Sequence, residues 1–303
     1  MLSIGEMKMK KIAITGANGF IGSNLVNKLV KNDYEVAIIC REKSNLESLN
    51  NVIDKVKIYR VDDDIDKIIN SFREFNPECI IHLAAVFKTE HNSQDIYKFI
   101  DSNIKYPSII LEAMSKAGIR KFINTGTAWQ HYNNDEYNPV CLYAATKESF
   151  EKIIEYYVKA LNFKCITLKL FDSYGENDNR GKLISSLINT AISNGEINMS
   201  NGEPKMDLTH VDDISRGFIK AFEYLDCIDY GEHKKYALCT GKTLSLKEIV
   251  KIFEEQTGYK LKVNWGVRKY RDREIMEPWN KYEILPNWQS RISFEDWIKG
   301  ALN

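Results

Sequence analysis

The stretch "KKIAITGANGFIGSNLVNKLVKN", Lys10 to Asn32, decides the fold. A short apolar run ending at Thr15 reads as a buried strand, and a glycine-bearing turn follows it. Leu25, Leu29 and Val30 then recur at helical spacing. Gly16, Gly19 and Gly22 stand at the end of the strand and the start of the helix. Gly16 can make the tight turn, Gly19 can let a pyrophosphate approach the backbone, and Gly22 can allow close helix–strand packing. The helix N-terminus, at Phe20 and Ile21, then offers free N–H groups to phosphates. The spacing is G-x-x-G-x-x-G, one residue wider in its first gap than G-x-G-x-x-G. As a bare pattern it says little. Between a strand and a helix it predicts dinucleotide binding.

Outward from this stretch the rhythm repeats. Further strands are predicted at "YEVAIIC", "KVKIYRV", "PECIIHLAA", "KFINTGT" and "FKCITLKLFD". Helical stretches alternate with them, among them "DIYKFIDSNIKYPSIILEAMSKAG", with Pro107 inside, and "YAATKESFEKIIEYYVKAL". Short continuous apolar strands alternating with amphipathic helices indicate βαβ units. The expected fold class is therefore α/β, a Rossmann-type doubly wound parallel sheet. After Phe171 the polar loop "SYGENDNRGK" breaks the rhythm, and four of the five Trp residues lie between Trp265 and Trp297. We expect a dinucleotide-binding unit of residues 8–172 plus 208–240. A smaller C-terminal α/β substrate-binding unit would comprise residues 173–207 plus 241–303.

Composition excludes other classes. The 303 residues are 44% hydrophobic and 28% charged, with 42 Lys plus Arg against 42 Asp plus Glu. Zero net charge gives no electrostatic footprint for nucleic acid or an anionic membrane. No window approaches the roughly 18 consecutive apolar residues of a membrane span. "MLSIGEMKMK" has no apolar core of signal-peptide length. The six cysteines are scattered, without metal or redox spacing, and several sit in apolar runs. The expectation is a reduced cytoplasmic protein with no metal site.

The residue after the second strand bears on the dinucleotide. An NAD site wants Asp or Glu there, accepting from the ribose 2′-OH. Here stand Cys40 and Arg41, with Glu42 and Lys43 following. A guanidinium can grip a 2′-phosphate that a carboxylate would repel, so NADP(H) is expected. Asp62, ending the third strand, is placed to accept from the adenine amino group, or is simply one of the acidic run Asp62–Asp64. His82 ends an apolar strand and reads as a structural histidine.

Tyr143 and Lys147, four residues apart on a predicted helix, share a face. A free phenol ionises near pH 10, and a nearby cation makes it a proton donor and acceptor nearer neutrality. The spacing alone says little, because Tyr230 and Lys234 share it. What sets the first pair apart is Thr127 at the strand end before it, able to donate a hydrogen bond beside the phenol.

"TGANGFIG", "HLAA", Ser102–Asn103, Thr125–Thr127 ("TGT"), "YAATK" and "HVDD" follow one another along nearly the whole chain. In that order they resemble the extended short-chain dehydrogenase/reductase family of nucleotide-sugar epimerases, dehydratases and ketoreductases. The resemblance implies Thr127, Tyr143 and Lys147 as the catalytic set, with Lys147 also on the nicotinamide ribose. It implies cofactor contacts at Gly16, Gly19, Phe20, Ile21, Gly22, Arg41, Asp62, Leu83, Ala84, Ala85, Asn103, Thr125 and Phe171. Substrate contacts are implied at Phe87, Thr127, Trp129, Gln130, Asp172, Arg180, Lys182 and Arg271. His131 reads as a solvated loop imidazole, and the family's Arg before "HVDD" is replaced by Met206, with Lys205 the only substitute.

Within the family, "NTGTAWQHYNNDEYNPVCLYAATKESFE" and "LKLFDSYGENDNRGKL" are similar to the 4-ketoreductases of 3,6-dideoxyhexose nucleotides, the CDP-abequose and CDP-paratose synthase group. The 4,6-dehydratases carry Asp-Glu directly after the catalytic Thr, where this chain has Ala128-Trp129. The expectation is NADPH-dependent reduction of a 4-keto sugar nucleotide, CDP-linked, for surface polysaccharide such as lipopolysaccharide O-antigen. The rivals are a nucleotide-sugar 4-epimerase and a non-enzymatic dinucleotide sensor. A homodimer through the two long helices is the family-based expectation.

Overall fold

The computed structural model describes residues 9–302. Residue 8, the expected start of the first unit, and most of "MLSIGEMKMK" lie outside the described residues. The chain opens with β1 (Lys11–Thr15), α1 (Phe20–Lys31), β2 (Glu35–Cys40), β3 (Val56–Arg60), α2 (Ile65–Phe75) and β4 (Cys79–His82). It continues through α3 (Asp95–Ile100), a π turn (Asp101–Lys105), α4 (Tyr106–Ala117), β5 (Lys121–Thr127), α5 (Leu142–Leu161) and β6 (Lys164–Leu170). The seventh strand of this sheet comes much later, at 233–238. With that strand named β10 in chain order, the sheet runs β10-β6-β5-β4-β1-β2-β3, and every pairing is parallel.

Period-two alternation builds a core on each face of the sheet. Ile12, Ile14, Ile38, Ile81, Ile123 and Ile166 face one side, where α1 and α7 (Val211–Tyr224) contribute Leu25, Leu29, Phe218 and Phe222. Ala13, Ala37, Ile39, Ile80, Phe122 and Cys165 face the other, under α2, α4 and α5. Phe122 is fully buried there. Truncating such a ring to Ala costs about 3–5 kcal/mol.

Pro107 does not break its helix. It lies in the first turn of α4, and the π turn just before it absorbs the missing donor and the ring's bulk. Strand β10 (His233–Leu238) was not expected, because "HKK" opens it and only Tyr236, Ala237 and Leu238 are buried.

A separate apolar cluster gathers Tyr174, Leu187, Leu208, Ile249, Phe253, Phe294 and Ile298. It is built on β7 (Asp172–Tyr174), α6 (Leu183–Ser193), β8 (Glu196–Asn198) and β9 (Lys205–His210). The later chain adds β11 (Thr243–Ser245), α8 (Leu246–Thr257), β12 (Lys262–Asn264) and α9 (Phe294–Gly300). Strands β11-β9-β7 form one small sheet, and β12 pairs with β8 in another. The "HVDD" motif joins the two parts. Asp213 Oδ2 accepts from Ser290 Oγ and from the N–H groups of Arg291 and Ile292 at 2.7–2.9 Å.

Candidate active site

The carboxyl ends of β1, β4, β5 and β6 meet at a cleft of about 490 Å³. Its floor is the start of α1. A Cβ on Gly16, whose φ is +73°, would lie 2.4 Å from the Ala84 nitrogen, and one on Gly22 would lie 2.1 Å from the Gly16 oxygen. Both glycines are therefore demanded by backbone packing. At Gly19 a Cβ would meet no protein atom closer than 3.4 Å, so its bareness serves the open side of the cleft. Helix α1 has no side-chain N-cap and no acidic residue in its first turn. Its unpaired N–H groups and the positive end of its dipole suit a pyrophosphate, and the site fits a dinucleotide.

Leu83, Ala85, Thr125, Thr127, Tyr143, Lys147 and Phe171 line the same cleft with Gly16, Gly19, Phe20, Ile21 and Gly22. Ala84 contributes its backbone, packed against Gly16. Arg41 is exposed at the end of β2, on a loop held by Arg60, which donates to the carbonyls of Arg41 and Ser44 at 3.3 and 3.1 Å. Asp62 accepts from the Glu42 N–H at 3.0 Å and so holds that loop too. Asn103 does not reach the cleft. It is buried, pairs with both the N–H and the carbonyl of Val86, and donates to Thr146 Oγ1, which fixes the loop after β4. His82 is the structural histidine expected, bonded to Thr15 Oγ1 at 2.7 Å, with burial pushing its pKa well down.

Tyr143 and Lys147 lie on α5 and Thr127 ends β5, so strand and helix bring the three together. Burial and the neighbouring Cys141 thiol push the Tyr143 phenol up, so it is protonated at neutral pH. Burial pushes the Lys147 ammonium down to about 8, opposed by Glu151 and helped by Lys169. The pair is therefore a held proton beside a cation close to its titration point. Tyr230 and Lys234 make no such pair. Tyr230 is exposed in a turn under the Lys164 ammonium, and Lys234 is bound to Glu232 on β10.

Beside this cleft opens a second, of about 560 Å³, sharing Phe87, Trp129, Phe171, Asp172, Arg180 and Lys182 with the first. Phe87 packs edge-on to Tyr143 at 5.0 Å and against Trp129 at 5.5 Å. Lys182 sits over the Phe87 ring, and burial lowers its pKa against the pull of Asp172. Burial raises the Asp172 carboxyl, partly opposed by Lys182, Arg271 and Arg180. Arg180 is committed to Asp178 and Ser173 and stacks on Phe20 at the start of α1. Arg271 pairs with Glu274 over Trp129, whereas Arg273 turns away to Tyr132 and Asn138. Lys205 lines the cleft but is paired with Glu277 at 2.7 Å.

Two expectations fail here. Gln130 is fully buried and turned beneath the site, away from any sugar. His131 is not a solvated loop residue. Its ring stacks on Trp279 at 3.9 Å, its Nδ1 donates to the Glu136 carbonyl, and burial lowers its pKa. Trp279, Arg268 and Lys269 line the second cleft and were not anticipated. With them the wall carries six cations against four carboxylates, which suits an anionic ligand.

The profile of the NAD dependent epimerase/dehydratase family matches residues 12–236, from β1 to β10. The chain belongs to that family. Its members' dinucleotide chemistry makes this chain a nicotinamide-dinucleotide-dependent enzyme of the epimerase/dehydratase type. The chain is 31% identical over 281 residues to a CDP-abequose synthase from Yersinia pseudotuberculosis, covering 91% of this chain and 94% of that one. It is 29% identical over 297 residues to a CDP-abequose synthase from Salmonella muenchen, covering 97% of each. A crystal structure of a UDP-glucose 4-epimerase from Stenotrophomonas maltophila, with bound NAD and formylated UDP-arabinopyranose, superposes with a TM-score of 0.85. That match covers 97% of both chains at 20% identity and speaks for the shared fold. Family and relatives together support a nucleotide-sugar-modifying enzyme. Among the described residues no group of three or more His, Cys, Asp or Glu could hold a metal ion, and no helix is long and apolar enough to cross a membrane.

Proposed function

We propose that the protein reduces the 4-keto group of a deoxyhexose nucleotide, CDP-linked, to the 4-hydroxy sugar with NADPH. The observation that carries this reading is the placement of Thr127, Tyr143 and Lys147 where a glycine-floored cleft meets a cation-lined one. The dinucleotide, when bound, supplies the hydride to the carbonyl carbon. Tyr143, protonated at neutral pH, delivers its proton to the carbonyl oxygen as the alkoxide forms. Thr127 Oγ1 donates a hydrogen bond to the same oxygen, and the Lys147 cation stabilises the phenolate left behind. Phe87 and Trp129 form an apolar wall beside Tyr143, which lowers the dielectric on that side of the phenol. Lys182, Arg268, Lys269 and Arg271 meet the diphosphate, and residues 173–207 plus 241–303 act as the substrate-binding unit.

Two things favour reduction over elimination or epimerisation: Ala128 and Trp129 stand where dehydratase carboxylates would be, and three relatives are named CDP-abequose synthase. Arg41 favours NADP(H) over NAD(H), and Asp62 takes the adenine amino group. We assign the enzyme to the cytoplasm and to surface-polysaccharide synthesis. It works as a homodimer through Ile96, Tyr97, Ile100 and Tyr156, which α3 and α5 leave exposed. The test is NADPH oxidation with CDP-4-keto-3,6-dideoxyglucose, with NMR of the product. One NADPH consumed per 4-hydroxy sugar formed supports the reading. Interconversion of 4-epimers without net NADPH loss would replace it with a 4-epimerase.

A further inference from the structure

Beneath the three residues just assigned lies a closed polar network that their roles do not use. Thr127 ends β5, and a short 3-10 turn, Ala128–Gln130, follows it. The Gln130 side chain folds back so that its Oε1 accepts from the Thr127 N–H at 3.0 Å. Its Nε2 donates in the other direction, to Glu148 Oε2 at 2.6 Å and to Glu151 Oε1 at 2.9 Å. Both carboxylates belong to α5, within one turn after Lys147. Gln130 and Glu151 have no exposed surface. Glu151 is held in turn by Lys169 of β6 at 2.7 Å and Lys235 of β10 at 3.0 Å.

We propose that Gln130 is a positioning residue, fixing the strand end that carries Thr127 to the helix that carries Tyr143 and Lys147. The inference rests on the roles assigned to those three residues above. The carboxamide is the one neutral head that suits the place. It needs an acceptor for the Thr127 N–H and two donors for two carboxylates, and an amide has both. A carboxylate at 130 would face Glu148 and Glu151 with no donor, and an apolar head would leave the buried Thr127 N–H without its acceptor and take one donor from each carboxylate.

The same contacts reach the charge on Lys147. The groups that face it are Tyr143 and Glu151 on its own helix, Lys169 from β6 and His82 from β4. Glu148, Lys235 and His233 stand around Glu151 and Lys169. Gln130 donates to the carboxylate that opposes the loss of the Lys147 proton. Changing its head therefore changes both the geometry of the donors and the ionisation of the lysine.

The experiment compares wild type with Gln130→Met, Gln130→Glu and the exchange Gln130→Glu/Glu148→Gln. The readouts are kcat and KM across pH 6–10, NADPH affinity by nicotinamide fluorescence over the same range, and the melting temperature. A positioning role predicts that kcat falls about ten- to a hundredfold in both single variants with KM nearly unchanged, as expected for small misplacements of catalytic groups. In Gln130→Glu the added negative charge favours protonated Lys147, so the midpoint in the pH profiles of kcat and NADPH affinity moves up. The exchange restores the donor–acceptor pair between positions 130 and 148 at unchanged total charge and recovers part of the lost kcat, the carboxylate at 130 still facing Glu151. If Gln130→Met does not fold, Gln130→Glu and the exchange decide the matter by the same readouts. Wild-type kcat and pH profiles in a folded single variant would overturn the proposal, as would a raised KM with kcat intact. Should wild type turn over no 4-keto nucleotide, the functional reading fails, while the NADPH titration, which needs no sugar, still decides on Gln130.

Discussion

The two clefts are made of different material. The first is floored by backbone: Gly16 and Gly22 sit where a Cβ would strike the Ala84 nitrogen and the Gly16 oxygen, and α1 offers its N–H groups directly. The second is walled by long side chains on loops, with Arg268, Lys269, Arg271 and Trp279 coming from a segment without regular structure before α9. A backbone cradle is fixed by packing and tolerates almost no change. A side-chain wall can be altered one residue at a time, which is how one fold accepts many sugars.

Substitutions can break or sharpen that contrast. The largest effect is expected on the backbone side. Gly22→Val places a side chain into the Gly16 carbonyl, and fluorescence titration should find no NADPH binding, or no folded protein. Wild-type affinity in that variant would end the distinction. At the seam between clefts, Tyr143→Phe should lower kcat by about 10²–10⁴ while NADPH still binds, since only the proton donor is removed. Lys147→Met separates function from stability. Turnover should vanish, yet the melting temperature at pH 7 should rise, because a buried ammonium is replaced by a buried apolar chain.

The sign follows from linkage. Folding lowers the Lys147 pKa from an ordinary lysine value to about 8, so between about 8 and 10.5 the unfolded chain binds more protons than the folded one. This group's contribution to stability therefore rises with pH through that window and is least favourable below it. The advantage of Lys147→Met should shrink as pH increases from 8 to 10. On the side-chain wall the effects should be smallest. Arg271→Ala should raise KM for the sugar nucleotide about tenfold through one lost charged contact. Lys205→Ala should change it less than about twofold, because Lys205 offers a single point charge that Glu277 already takes, whereas Arg271 presents a planar fork of donors held over Trp129.

The same contrast explains what was legible in the sequence. Glycines forced by close backbone contact betray themselves by type and spacing, and "ITGANGFIG" pointed to both strand and helix. That Thr127, Tyr143 and Lys147 line one cleft could be read because each sits at a fixed place on a regular element. Gln130 carries a local signal of its inward turn. Thr127-Ala128-Trp129-Gln130 is a capping-box pattern, and such a pattern turns the Gln back to the Thr backbone instead of outward. Nothing local announces Arg268, Lys269 or Trp279, since only the packing of the later chain decides which way a loop residue points. Strand β10 was hidden for a related reason. It is an edge strand, and its first three residues, "HKK", lack the apolar run that marks the central strands.

The Asp213 clasp has a consequence for how this chain can be divided. Besides accepting from Ser290, Arg291 and Ile292 through its carboxylate, Asp213 takes the Trp288 indole N–H on its backbone carbonyl at 2.9 Å. Leu285 and Trp288 are thereby set into the core beneath the seven-stranded sheet. The chain's late segment is thus a wall for one cleft and a plug for the hydrophobic interior behind the other. A chain ended before Leu285 would do more than reshape the second cleft: it would open a hole under the seven-stranded sheet. The two halves are therefore not interchangeable modules, and recombination between relatives has to carry residues 285–292 along with α7.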